Sequence, residues 1–484
     1  MTDTRSQTTE CRRRRDGVSR SLFHFLPGLL LAGVLALFVV FPLLQPGLPG
    51  TADTPIHFYR ALEFARSWGP GVLYPRWAPD LAYGYGHPLW IFAPPLPYLV
   101  PLAFQALGFS LEAGLKGLVI LTALGYALGA YLLVRDSLGP AAGLVAATVY
   151  TLAPFALREV LLYGGNYPQY LAIGLYPWVL WALGRVVLPE RSGWFYVSLT
   201  ALLYGAVILS HLFHALVLTP VAAVYAGLLW LSGGRDLRRL GAAALSLGLG
   251  LLWTTFFWLP ALVERKYTRA VEDVYVRVSP FYLRFLSWRE LLAWPQALDS
   301  RSLNPWVPFT LGPIVLLLAG WGLVALVRNE RMSESANPQI SKVAKRQSNI
   351  PADGRIGNTA LVQGVFFLCL LALSVFMTLP ISNWVWANVP FLEVAEFTWR
   401  WLGLANLSLA YLSGAIIAWV RSSSRQMALA LVVTMAVLLL SSVYLYPVRP
   451  FVRYGETLAD MVSFELGSRA IGTTTLGEYL PRWV

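Results

Sequence analysis

Residues 51–60 read "TADTPIHFYR", and Asp53 and His57 are the groups in it that can handle a proton near neutral pH. A carboxylate so placed could take the proton of an attacking hydroxyl, and an imidazole could hold or relay one. Three further stretches gather polar residues: Arg76 and Asp80 in "YPRWAPDLAY", Arg158, Glu159 and Asn166 in "REVLLYGGNYPQ", and Glu396 and Arg400 in "EFTWRW". Guanidinium groups match the oxygens of phosphate, so these arginines, and above all Arg265, Arg269, Arg277, Arg284, Arg289 and Arg301 in residues 263–308, suit an anionic ligand.

Each of these residues also has a plainer use. Asp53 precedes Thr54 and Pro55, a helix start, so it could assist the cap of that helix; residue chemistry alone leaves cap and catalyst level. Arg76 and Asp80 could pair with each other and fix their loop. Glu396 and Arg400 have the spacing of a salt bridge across one helical turn. His57 and His87 read as interfacial hydrogen-bonding groups. His211 and His214 are spaced i,i+3, but no third ligand lies near them, so no metal site is expected. The chain has no Walker A loop, G-x-G-x-x-G turn, H-E-x-x-H or G-x-S-x-G motif, which argues against soluble nucleotide chemistry.

The elements that must position these groups are membrane helices. Of 484 residues, 57% are hydrophobic and only 13% charged, which is outside the range of soluble globular chains. Apolar runs of spanning length recur along the sequence, so the expected fold is an all-α polytopic bundle. The net charge of +12 falls in short loops between apolar runs and serves as an orientation signal, not a nucleic-acid surface. Cys11 and Cys369 form no disulfide framework.

About eleven spans, within a range of nine to thirteen, are expected: 25–44, 113–134, 139–157, 170–188, 194–212, 215–232, 240–262, 309–327, 359–379, 401–420 and 426–446. Residues 94–109, with four prolines, read as a re-entrant or juxtamembrane helix. Arg12 to Arg15 hold the tail 1–24 in the cytoplasm, so loops 45–92, 158–169 and 263–308 and the tail 447–484 face outward. The membrane domain then runs from 25 to 446, and its inner loop 328–358 has a disordered composition. Within loop 45–92 an amphipathic helix starting at Thr54 should lie along the membrane surface.

A basic N-terminus, one span, an outer loop with an early Asp, a surface helix and a "PP" opening the next apolar stretch resemble the GT-C class of membrane glycosyltransferases. More narrowly, "ADTPIHFYR", "LYPRWAPDLAYGYGHPLWIFAPPLPY", "FTWRW" and "GTTTLGEYLPRWV" look like a bacterial family of membrane proteins labelled 6-pyruvoyl-tetrahydropterin-synthase-related. The resemblance implies a GT-C-like bundle in the bacterial inner membrane and transfer of a sugar from a polyprenyl-phosphate donor to an envelope glycan, lipid or protein. It implies Asp53 as the catalytic base with Glu159 as a second acidic group. His57, Arg76, Asp80, Arg158, Asn166 and Arg400 become the substrate-binding candidates. A divalent cation is the one cofactor the class would admit, without an assigned ligand set, and the missing Asp-x-Asp pair of several such families argues against metal dependence. Relatives continue beyond "GEYLPRWV" into an outer soluble region, so the chain reads as a short form. The alternatives are a transporter or flippase of a lipid-linked or anionic substrate, and a non-catalytic assembly protein.

Overall fold

The computed structural model describes residues 27–69, 71–188, 193–269, 280–294, 296, 307–335, 358–390, 392, 395–445, 450–474 and 476–483. The basic tail with Arg12 to Arg15 and Cys11, most of the inner loop 328–358, and Arg277 and Arg301 lie outside the described residues.

Helices dominate, in chain order α1 (Pro27–Leu44), α2 (Thr54–Ser67), α3 (Leu96–Ala106), α4 (Leu111–Leu138), α5 (Pro140–Gly164), α6 (Tyr167–Val187), α7 (Trp194–Ile208), α8 (Leu212–Ser232), α9 (Leu237–Trp253), α10 (Thr255–Tyr267), α11 (Pro313–Asn329), α12 (Asn358–Thr378), α13 (Thr398–Trp419), α14 (Ser423–Ser441) and α15 (Leu458–Ser468). Every stretch expected to span carries one of these helices. Among the described residues, eight are long and apolar enough to cross a membrane, or nine if α9 and α10, bent by 67°, count as one span. Nine is the lower bound of the nine to thirteen expected around a central count of eleven. One reason for the low count is length: α7 has 15 residues, roughly 22 Å at helical rise against a hydrocarbon core of about 30 Å. Residues 94–109 hold the short helix α3.

Local chemistry sets the breaks. The Ser110 hydroxyl accepts from the Ala113 amide at 3.2 Å and caps α4, the pattern that satisfies an orphan helix donor. Asn166 Oδ1 accepts from the Gln169 amide at 3.0 Å and caps α6, with Pro168 in the first turn. The core lies where α4, α5 and α6 pack together, with α13 against α5 and α12 against α13. Tyr126, Tyr150 and Tyr170 stack inside it, with ring centroids 4.7 and 4.8 Å from that of Tyr126. At Gly322 a Cβ would lie 1.8 Å from the Leu412 carbonyl oxygen, so only glycine permits this approach of α11 to α13.

Two regions depart from the sequence expectation. Residues 158–169 begin as helix, not loop: after Thr151 the chain continues as a π-helix, Phe155–Gly164. Its extra residue per turn turns Arg158 and Glu159 into the packed interior, where both are buried and lie 4.0 Å apart. The segment after residue 450 is no dangling tail. Phe451–Val452 pairs antiparallel with Leu48–Pro49, and α15 lies over α2, with Phe464 stacked 4.9 Å from Tyr59. Helix α2 is therefore covered, burying Phe58, Leu62 and even Glu63.

Candidate active site

The start of α2 is fixed by its surroundings. The Asp53 amide donates to the Gly164 carbonyl at 2.7 Å and the Ala52 amide to the Tyr163 carbonyl at 3.3 Å, so the loop is docked on the end of α5. The Thr54 amide donates to the Thr51 hydroxyl at 3.2 Å, and the Thr54 hydroxyl meets the Tyr167 hydroxyl at 2.9 Å. Threonines thus take up the polar groups at this helix start. Asp53 occupies the N-cap position, but its side chain makes no capping hydrogen bond.

That side chain faces a cavity of about 900 Å³. Its walls come from α2 (Asp53, His57, Arg60), from α7 to α10 (Ile208, Leu216, Leu251, Trp258), from residues 395–400 and from the segment 476–479. Four arginines, Arg60, Arg265, Arg284 and Arg400, and three carboxylates, Asp53, Glu396 and Glu478, line it. Burial pushes the Asp53 carboxyl up from 3.8 to about 6; Arg60 and Arg400 pull it back, and Glu396 adds to the rise. A carboxylate in that range is ionised at neutral pH yet basic enough to accept a proton.

His57 Nδ1 lies 2.9 Å from the Tyr98 hydroxyl, and burial holds its ring well below the usual histidine range, with Arg60 adding to this. The imidazole is therefore neutral and able to hydrogen-bond without a charge. Arg60 is clamped by Thr473: Nη2 donates to the carbonyl at 2.6 Å and Nε to the hydroxyl at 3.2 Å. Arg400 Nη1 donates to the Ala395 carbonyl at 2.7 Å. Its guanidinium stands 4.8 Å from the Phe397 ring centroid, and that of Arg284 5.5 Å from the same ring. One aromatic side chain thus carries two cavity arginines.

Of the residues expected from sequence, Asp53, His57, Asn166 and Arg400 meet at this cavity. Arg158 and Glu159 do not line it. They pair inside the bundle, where a charge leaves water only in company with a partner. Arg76 is exposed, and Asp80 pairs not with Arg76 but with Arg66, at 2.8 Å; the Asp80 amide is held by Glu63 at 3.1 Å. Nor do Glu396 and Arg400 share a helical turn. Glu396 has φ +61°, a left-handed conformation that breaks the chain just before the turn Thr398–Trp401. A non-glycine residue held there is of the kind that clusters at functional sites.

Sequence reasoning passed over Arg60 and Glu478, and named Arg265, Arg284, Glu396 and His211 without joining them to one cavity. Arg60 lies three residues after His57, a signal that the helical period offers. Glu478 comes from a segment more than 400 positions away, which no local pattern announces. Among the described residues, no three His, Cys, Asp or Glu side chains are grouped so as to hold a metal ion.

Comparison with solved structures finds a likeness of fold to large membrane proteins. Arabinofuranosyltransferase AftD from Mycobacteria superposes with a TM-score of 0.50 at 16% identity, covering 87% of this chain and 28% of that one. The archaeal oligosaccharyltransferase AglB from Archaeoglobus fulgidus, in complex with an inhibitory peptide and a dolichol-phosphate, gives a TM-score of 0.43 at 14% identity over 88% of this chain and 56% of that one. The chain thus spans about a quarter to just over half the length of these proteins. At such identities the likeness is one of fold. No curated protein sequence matches. The family model of the 6-pyruvoyl-tetrahydropterin synthase related domain, described as a membrane protein, matches residues 91–448, and the chain belongs to that family.

Proposed function

We propose that the protein transfers a sugar from a polyprenyl-phosphate donor to an envelope acceptor at the outer face of the bacterial inner membrane, with Asp53 as the general base. The observation that carries this reading is the Asp53 carboxylate. It is released from capping, raised to about 6 and faces a cavity that also holds four arginines.

The step is a substitution at the anomeric carbon. The acceptor hydroxyl oxygen forms the new bond to that carbon while the bond from the carbon to the phosphate oxygen breaks. The electron pair leaves with the lipid phosphate, and the hydroxyl proton passes to Asp53. Arg400 and Arg284, with Arg265, hold the phosphate and take up the charge that grows on it. His57, neutral and bonded to Tyr98, orients hydroxyls without repelling the arginines. The apolar wall of Ile208, Leu216, Leu251 and Trp258 accommodates the lipid chain.

The test replaces Asp53 by Asn, checks membrane insertion, and compares envelope glycans with those of a deletion strain. Loss of the glycan product is expected; a normal glycan profile in the variant, with the wild type required, overturns the assignment. The 67° bend between α9 and α10 beside the cavity favours a second reading as a transporter of a lipid-linked substrate, since broken helices line transport sites. Translocation in proteoliposomes without sugar transfer would select it.

A further inference from the structure

Residues 471–474 and 476–482 form a strap beside the cavity, anchored at both ends. At one end Thr473 receives Arg60, and the Gly472 amide donates to the buried Glu465 carboxylate at 2.7 Å. At the other, the Arg269 amide donates to the Leu480 carbonyl at 3.0 Å and the Arg482 amide to the Tyr267 carbonyl at 3.1 Å. Between the anchors, Leu476, Glu478 and Tyr479 face the cavity.

Two features of this span point to a ligand chemistry. The Tyr479 ring lies stacked on Phe92, centroids 5.1 Å apart and planes 15° from parallel, and both line the cavity. A ring held in one orientation offers a flat face with negative quadrupole to polarised C–H groups. Next to it, Glu478 Oε2 accepts from the Leu476 amide at 3.1 Å, which fixes the carboxylate against the strap. A fixed carboxylate accepts strong hydrogen bonds from hydroxyls and repels phosphate. The cavity is thereby divided: the arginines on Phe397 suit an anion, and the strap suits a neutral ring rich in hydroxyls.

We infer that Glu478 and Tyr479, backed by Phe92, form the acceptor subsite, and that the acceptor is a carbohydrate whose ring stacks on Tyr479 and whose hydroxyls bond to Glu478. This rests on the glycosyl-transfer reading of the same cavity and adds to it the class of acceptor. Arg60, in the helix whose N-cap is Asp53, bonds Thr473 of the strap, and Asp53, Glu478 and Tyr479 line the same cavity.

The experiment measures saturation-transfer NMR on the full chain in lipid nanodiscs, with methyl α-mannopyranoside and methyl α-arabinofuranoside as separate probes. For at least one probe, the ring protons should receive saturation from the wild type and from Tyr479→Phe, which keeps the aromatic face. The signal should fall about tenfold in Tyr479→Ala and in Glu478→Gln, the range expected for losing a charge-assisted hydrogen bond or its platform. Retention in Tyr479→Phe shows that the strap is folded. Equal signals in all variants, no signal from either probe with the wild type, or full displacement of the glycoside by trialanine overturns the inference. Because binding needs no transfer, normal envelope glycans in Asp53→Asn together with glycoside binding that depends on Glu478 would leave the subsite standing and remove the transfer reading.

Discussion

Replacing Asp53 should make the protein more stable and less active at once. A carboxyl whose value is raised from 3.8 to about 6 binds its proton more tightly in the folded chain than in the unfolded one. Its ionised form therefore opposes folding. The sign follows: this group does not weigh against the fold below about pH 3.8, and the cost grows as pH rises towards 6 and is constant above it. At ~1.4 kcal/mol per pH unit, the full cost is about 3 kcal/mol at about pH 7.5 and falls to about 1 kcal/mol at about pH 4.5. Asp53→Asn removes the ionisation, so the variant should gain up to that amount at the higher pH, and most of the gain should vanish at the lower. Transfer should drop by roughly 10²–10⁴, the usual contribution of a positioned base. Thermal unfolding in detergent at the two pH values reads the first effect, and radiolabelled sugar incorporation the second. Asp53→Ala separates this from capping. Loss of a cap costs about 1 kcal/mol, whereas release of a desolvated charge is stabilising. A destabilised Asp53→Ala, or a gain that does not depend on pH, would refute the reasoning.

Four other outcomes are expected. Arg400→Gln should weaken donor binding by about 10- to 100-fold, the worth of hydrogen bonds to a charged group, seen as a raised KM for donor with the strap intact. Wild-type transfer should decline as pH falls below about 6, with Asp53 as the protonating group; a rate flat down to about pH 5 would contradict its role. Arg76→Ala should leave the rate within about twofold, because exposed positions outside the site contribute little. Gly472→Ala should free the strap, since φ is +62° and a Cβ would lie 2.6 Å from His87 Cδ2; limited proteolysis near residue 470 should accelerate.

Much of the bundle was legible because spanning helices announce themselves by length and apolarity, and each expected stretch holds a helix. The exact span count is harder to read: α7, with 15 residues, passes for a span by hydropathy and falls short as a helix, and α9 and α10 form one bent pair. Asp53, His57 and Asn166 could be picked out because the chain places them at the ends of helices or one turn inside. Arg158 and Glu159 misled for a physical reason. Charge and flanking glycines suggest a loop, whereas the two residues hold each other in the interior and let a π-helix carry them there. The pairing of Asp80 with Arg66 instead of Arg76 likewise depends on α2 lying beside the loop, which spacing does not reveal.

The clamp between Arg60 and Thr473 joins residues 413 positions apart, and that separation is also a separation in time. At a synthesis rate of about 5–20 residues per second, Arg60 leaves the ribosome roughly 20–80 s before Thr473. During that interval α2 can insert and dock on α5, but the cavity has no strap beside it. The clamp forms only when the last helix of the bundle has been threaded and the following segment has folded back. Assembly order thus leaves the cavity without this clamp in any chain whose membrane insertion stalls.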